Sequence, residues 1–110
     1  MSFEVREEGS ITVVSISEPR LDASLAEGFK NFLFDQIDKG STTILVDLTH
    51  VRFMDSSGLG ALVAALKKVL GKGELKLAAP QPAVKDLFEL TSMEKLFSIF
   101  ESVDIALSDN

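Results

Sequence analysis

The chain has 110 residues, 45% hydrophobic and 25% charged, which is the balance of a globular protein with enough length to bury a core. Seventeen acidic residues against eleven basic ones leave a net charge of −6, which argues against a nucleic-acid partner. The absence of cysteine excludes disulfides and thiolate metal sites, and one histidine is too few ligands for a metal centre.

The predicted elements begin with Phe3 and Val5 in an alternating segment, a Gly9-Ser10 turn, and the β-branched run Ile11 to Ile16, together a two-stranded hairpin. Pro19 is expected to end the second strand's pairing. Asp22 or Ser24 then caps a helix to about Lys39, with Leu25, Phe29, Phe32, Leu33 and Ile37 at helical spacing and Gly40 as the stop. Phe34 falls roughly opposite that stripe, as a candidate exposed aromatic. Thr43 to Leu48 is nearly continuous apolar sequence, the pattern of a central strand covered on both faces. A second helix follows through Leu70, with Leu59, Leu62, Val63, Leu66, Val69 and Leu70 on one side. Glu74 to Ala79 predicts a strand, and Pro82 opens a helix with Val84, Leu87, Phe88 and Leu90 as its buried stripe. Leu96 to Phe100 predicts the last strand and Val103 to Leu107 a short terminal helix. The order β-β-α-β-α-β-α-β-α describes an α/β fold, a mixed sheet of about five strands packed against about four helices. Short loops and the lack of repeats predict a single domain over residues 1–110. No signal-peptide layout and no apolar run near the roughly 20 residues of a membrane span are visible, so a cytoplasmic protein without membrane insertion is expected.

The segment from Arg52 to Leu66 carries the most functional information: a polar turn with two hydroxyls, Asp55-Ser56-Ser57-Gly58, runs straight into an apolar helical pattern. Ser57 or Ser56 is suited to cap the helix, leaving one hydroxyl free. Gly58 and Gly60 leave the backbone bare for a close approach by another surface. A helix N-terminus tolerates added negative charge, which suits a serine that carries a phosphate. Other chemistries find less support. Neither serine has the leading glycine of a hydrolase nucleophile elbow, and Asp47, His50 and Ser56 form a triad only by imagination. Gly58-Leu59-Gly60 is followed by Val63, which breaks the dinucleotide fingerprint, and no phosphate-cradling Gly-Lys-Ser/Thr is present.

Val46-Asp47-Leu48 followed by Phe53-Met54-Asp55-Ser56-Ser57-Gly58-Leu59-Gly60 resembles the signature of the STAS domain, most closely that of bacterial anti-sigma-factor antagonists. Leu21-Asp22 is similar to the family's element before its first helix, and Pro82 to Leu90 with Leu96-Phe97 to its C-terminal helix and strand. Two places depart: Pro19 and Ser92 stand where the family commonly has glycine. The resemblance implies a non-catalytic switch. The unphosphorylated antagonist binds an anti-sigma factor that is also a serine kinase; the kinase phosphorylates the serine after the motif's aspartate, here Ser56; a metal-dependent serine phosphatase reverses this. Asp22, Asp55, Ser57, Gly58 and Leu59 are then the expected surroundings of the docking site, with a purely core place as the alternative for Leu59, and ATP and Mg²⁺ belong to the kinase, leaving this chain without a cofactor. A STAS subunit of a lipid or anion transport complex and a small serine hydrolase are the alternatives.

Overall fold

The computed structural model describes residues 2–109. Strands β1 (Phe3–Glu8) and β2 (Ile11–Ile16) form the antiparallel hairpin, turning at Gly9 with φ +63°. A two-residue strand β3 (Arg20–Leu21) leads into helix α1 (Ala23–Asp38), and β4 (Thr43–Asp47) follows. A second two-residue strand, β5 (Phe53–Met54), precedes α2 (Ser56–Val69). The chain continues through β6 (Glu74–Ala78), α3 (Pro82–Leu90), a single 3₁₀ turn (Met93–Lys95), β7 (Ser98–Phe100) and α4 (Val103–Ser108). The main sheet has the order β1-β2-β4-β6-β7, parallel except for the hairpin; β3 and β5 form a separate parallel ribbon.

The apolar run of β4 is explained by its two neighbours. Ile44 and Val46 face the main core with Phe29 and Leu33 of α1, Leu62 and Ala65 of α2, and Val84 and Phe88 of α3. Leu45 points the other way, into a smaller core with Val13, Ala78 and Ala106 of α4. Alternation along one strand thus feeds two layers. Lys76 of β6 also points toward α4, where it is buried; its Nζ lies 3.4 Å from Asp109 Oδ2 and 5.5 Å from the Phe100 ring centroid.

Several expectations need correction. Leu90 is 85% exposed and Leu70 is exposed too, because both fall where their helices end and the apolar stripe has already left the core. The last strand is shorter than expected: Met93–Lys95 forms a 3₁₀ turn and only Ser98–Phe100 pairs with β6. Phe34 is half-buried against the core, with Lys68 Nζ 4.9 Å and Lys30 Nζ 5.8 Å from its ring centroid, so it is not an exposed aromatic. Ser92, at one of the two departures from the family pattern, takes the left-handed conformation (φ +60°) that glycine adopts without strain.

Candidate functional site

The site is built on the β3–β5 ribbon. Its register pairs Arg20 with Phe53 and Leu21 with Met54, so the next residues along, Asp22 and Asp55, emerge side by side. Each is the N-cap of the helix that follows. Asp22 Oδ1 accepts the Ser24 N–H (3.1 Å) and the Ser24 hydroxyl (2.6 Å). Asp55 Oδ1 accepts the N–H of Ser57 (2.9 Å) and of Gly58 (3.1 Å). Two first-turn amides of α2 are therefore satisfied by one carboxylate. The expectation that a serine caps this helix is overturned: Asp55 has the extended backbone of a cap (φ −106°, ψ −174°) and the acceptor, and Ser56 is already the first helical residue.

With the cap supplied by Asp55, the two hydroxyls are free of that duty. Ser56 is exposed at the start of α2, and Ser57 is half-buried. Ser57 borders a shallow groove of about 360 Å³ between α1 and α2, lined by the small residues Ala26, Gly60, Ala61 and Ala64 and by Lys30. Gly58 lies elsewhere than expected, and Leu59 takes the core place that was its alternative. Both are buried, and a Cβ on Gly58 would stand 2.4 Å from the carbonyl oxygen of Leu21 and 2.9 Å from Met54 Cγ. The surface that Gly58 admits is the protein's own β3, not a partner's. Gly60, by contrast, is exposed with open space around it. Leu59 belongs to the main core.

Two neighbours were missed by the sequence reading. The Arg20 guanidinium lies over the Phe53 ring, Cζ 4.3 Å from its centroid, and Arg20 Nε is 3.5 Å from Asp22 Oδ2. The Asp22 carboxyl is held below its ordinary value, first by the Ser24 hydroxyl against an opposing desolvation, then by the Ser24 N–H and Arg20. The sequence signal of the ribbon is the repeated apolar-Asp step, Leu21-Asp22 and Met54-Asp55, before each of two helices.

Other chemistries gain nothing from the geometry. The carboxylate of Asp47 accepts from Thr49 and Ser15, and His50 is exposed, so no triad is assembled with Ser56. Among the described residues no cluster of three or more His, Cys, Asp or Glu is placed to hold a metal. Among them, too, no helix is long and apolar enough to cross a membrane.

The fold and the serine turn together define a STAS domain, and the family model for that domain matches residues 2–106; the chain belongs to this family. Within it, the similarity runs to anti-sigma-factor antagonists. The anti-sigma-B factor antagonist of Listeria monocytogenes is 30% identical over 100 residues, covering 90% of this chain and 88% of that protein. The crystal structure of an anti-sigma factor antagonist from Mycobacterium paratuberculosis superimposes with a TM-score of 0.89 at 25% identity, over 96% of this chain and 90% of the other. The Bacillus cell fate determinant SpoIIAA in its phosphorylated form shares the fold, with a TM-score of 0.72 at 21% identity and 96% of each chain covered.

Proposed function

We propose that this protein is a non-enzymatic, cytoplasmic partner switch: an antagonist that binds a serine-kinase anti-sigma factor while unmodified and loses that partner when Ser56 is phosphorylated. The observation that carries the reading is the division of labour at the turn. Asp55 takes the capping role, which leaves Ser56 exposed at a helix N-terminus with its hydroxyl unengaged among the described residues. In-line phosphoryl transfer needs such an accessible, oriented oxygen. The kinase would pass the γ-phosphoryl group of ATP to Ser56 Oγ, taking the hydroxyl proton and releasing ADP; a metal-dependent phosphatase would transfer the phosphoryl group to water, releasing inorganic phosphate and returning the proton to Ser56 Oγ. Support comes from relatives named as anti-sigma-factor antagonists and from a protein of the same fold solved with phosphate attached.

The new phosphate adds about −1.5 to −2 charges beside Asp55 and Asp22. The N-terminus of α2 offsets this by about 0.3–1 kcal/mol, so the free protein tolerates it. A docked partner would have to bury the same dianion and strip its water. A penalty of about 2.8 kcal/mol weakens binding roughly 100-fold. The test uses the purified protein, ATP–Mg²⁺ and the kinase-type anti-sigma factor of its own organism. Phosphate should map to Ser56 by mass spectrometry, vanish in Ser56→Ala and persist in Ser57→Ala, and Ser56→Asp should lose part of the affinity. Phosphate on Ser57, or equal affinity with and without phosphate, would overturn the proposal.

A further inference from the structure

We infer that Arg20 is a phosphate latch, an arginine that leaves Asp22 and the Phe53 ring to clasp the phosphate on Ser56 and so reshapes the docking surface from within. The inference rests on Ser56 as the phosphoacceptor and adds the residue that answers it. In the unmodified protein Arg20 has two weak anchors on an exposed surface. One is a single carboxylate contact at 3.5 Å, longer than a good charge-assisted hydrogen bond, and the other is the ring face at 4.3 Å. Asp22 is itself engaged by Ser24 through two hydrogen bonds, so it loses little when the arginine departs.

The ribbon register sets the reach. Arg20 sits opposite Phe53, and Asp22, which the guanidinium already touches, is beside Asp55, the residue just before Ser56. Neighbouring strands are about 4.8 Å apart, so from its contact with Asp22 the guanidinium must move roughly one strand spacing across and one residue along the chain to meet a group on Ser56. Charge decides the direction of movement. A phosphate offers about twice the charge of a carboxylate and three acceptor oxygens, and guanidinium matches two of them at once. Asp22 and Asp55 add local negative potential that makes an internal counter-charge more valuable once the dianion is present. When the latch closes, Phe53, 38% exposed even with the arginine nearby, loses that cover, and Asp22 loses its ion pair. The surface offered to a partner then differs in shape and charge, not only by the phosphate itself.

The test installs phosphoserine at position 56 by genetic encoding, so it does not depend on any kinase. Two-dimensional NMR follows Arg20 Nε–H and the Phe53 ring, and ³¹P NMR follows the second ionisation of the phosphate. On phosphorylation the Arg20 Nε–H and Phe53 ring resonances should both move. The phosphoserine's second pKa, ordinarily about 6, should rise by about 0.5 in Arg20→Gln relative to the parent. Arg52→Gln, which removes the neighbouring exposed cation, should leave that pKa within about 0.1 of the parent's. An Arg20 Nε–H that does not move, or a larger pKa effect from Arg52→Gln than from Arg20→Gln, would overturn the latch. Either result would leave the switch reading standing if phosphate still weakened partner binding, and a working latch in a protein that no kinase modifies would sink that reading alone.

Discussion

Asp55 accepts two backbone amides through one oxygen, and this relieves both of the following serines of the capping role. Sequence rules favour serine and aspartate almost equally as helix caps, and the choice between Ser56 and Ser57 passed over the adjacent Asp55. The observed geometry predicts an asymmetry between neighbours. Asp55→Ala should destabilise the protein by about 1 kcal/mol, within the 0.5–2 kcal/mol range of lost caps. Ser57→Ala should stay within about 0.5 kcal/mol of the parent, because it removes no capping bond. Urea unfolding of the two variants measures the contrast; an Asp55→Ala midpoint equal to the parent's, with a lowered one for Ser57→Ala, would restore the serine as cap.

At the scale of elements, the contact between α2 and β3 is closer than a side chain permits. Gly58 is the residue that lets the first turn of the helix lie on the backbone of Leu21. In Gly58→Ala the added methyl would stand 2.4 Å from the Leu21 carbonyl oxygen, which cannot swing aside as the Leu21 and Met54 side chains 2.9 Å away can, so the helix must shift away from the ribbon. A cost of about 1–3 kcal/mol is expected, read by thermal or urea unfolding. Chemical-shift changes should centre on Leu21, Met54 and the serine turn, and a fully stable Gly58→Ala with unchanged shifts would refute the close-packing account. The sequence contained this glycine and its unusual placement, but not the identity of the surface pressed against it. Periodicity reveals which residues face inward; it does not say which segment they face.

Across the whole molecule, the long periodic elements were legible: the hairpin, the doubly covered β4, and the positions of α1, α2 and α3 all follow from apolar spacing and turn residues. Capping residues and Pro82 located the helix starts to within a residue or two. What escaped was short. A two-residue strand such as Arg20–Leu21 or Phe53–Met54 has no period to detect, and its existence depends on a partner more than thirty positions away. The candidate site suffered in the same way. The serine turn was plain in the sequence, whereas the Arg20–Phe53 pair exists only because the ribbon forms. Helix ends were the other weakness, since Leu70 and Leu90 obey the apolar spacing yet stand where the core has run out.

The separateness of that ribbon gives the serine turn a stability of its own. The amides of Arg52 and Phe53 donate to the Pro19 carbonyl at 2.8 and 3.1 Å, and that of Asp55 donates to Leu21 at 3.3 Å, none of them part of the five-stranded sheet. A ribbon this short can open locally while the five-stranded sheet stays paired. In hydrogen–deuterium exchange these three amides should therefore trade as one group, faster than those of β4 and β6, at a rate that tracks the ribbon and not global unfolding. Exchange at the same rate as β4 would mean the ribbon opens only with the whole protein. If they do trade early, breathing at the ribbon loosens the Asp55 cap and changes how the exposed Ser56 is held, without unfolding anything else. The orientation of the Ser56 hydroxyl would then be set by the ribbon's own hydrogen bonds and tuned by mutation without touching the fold.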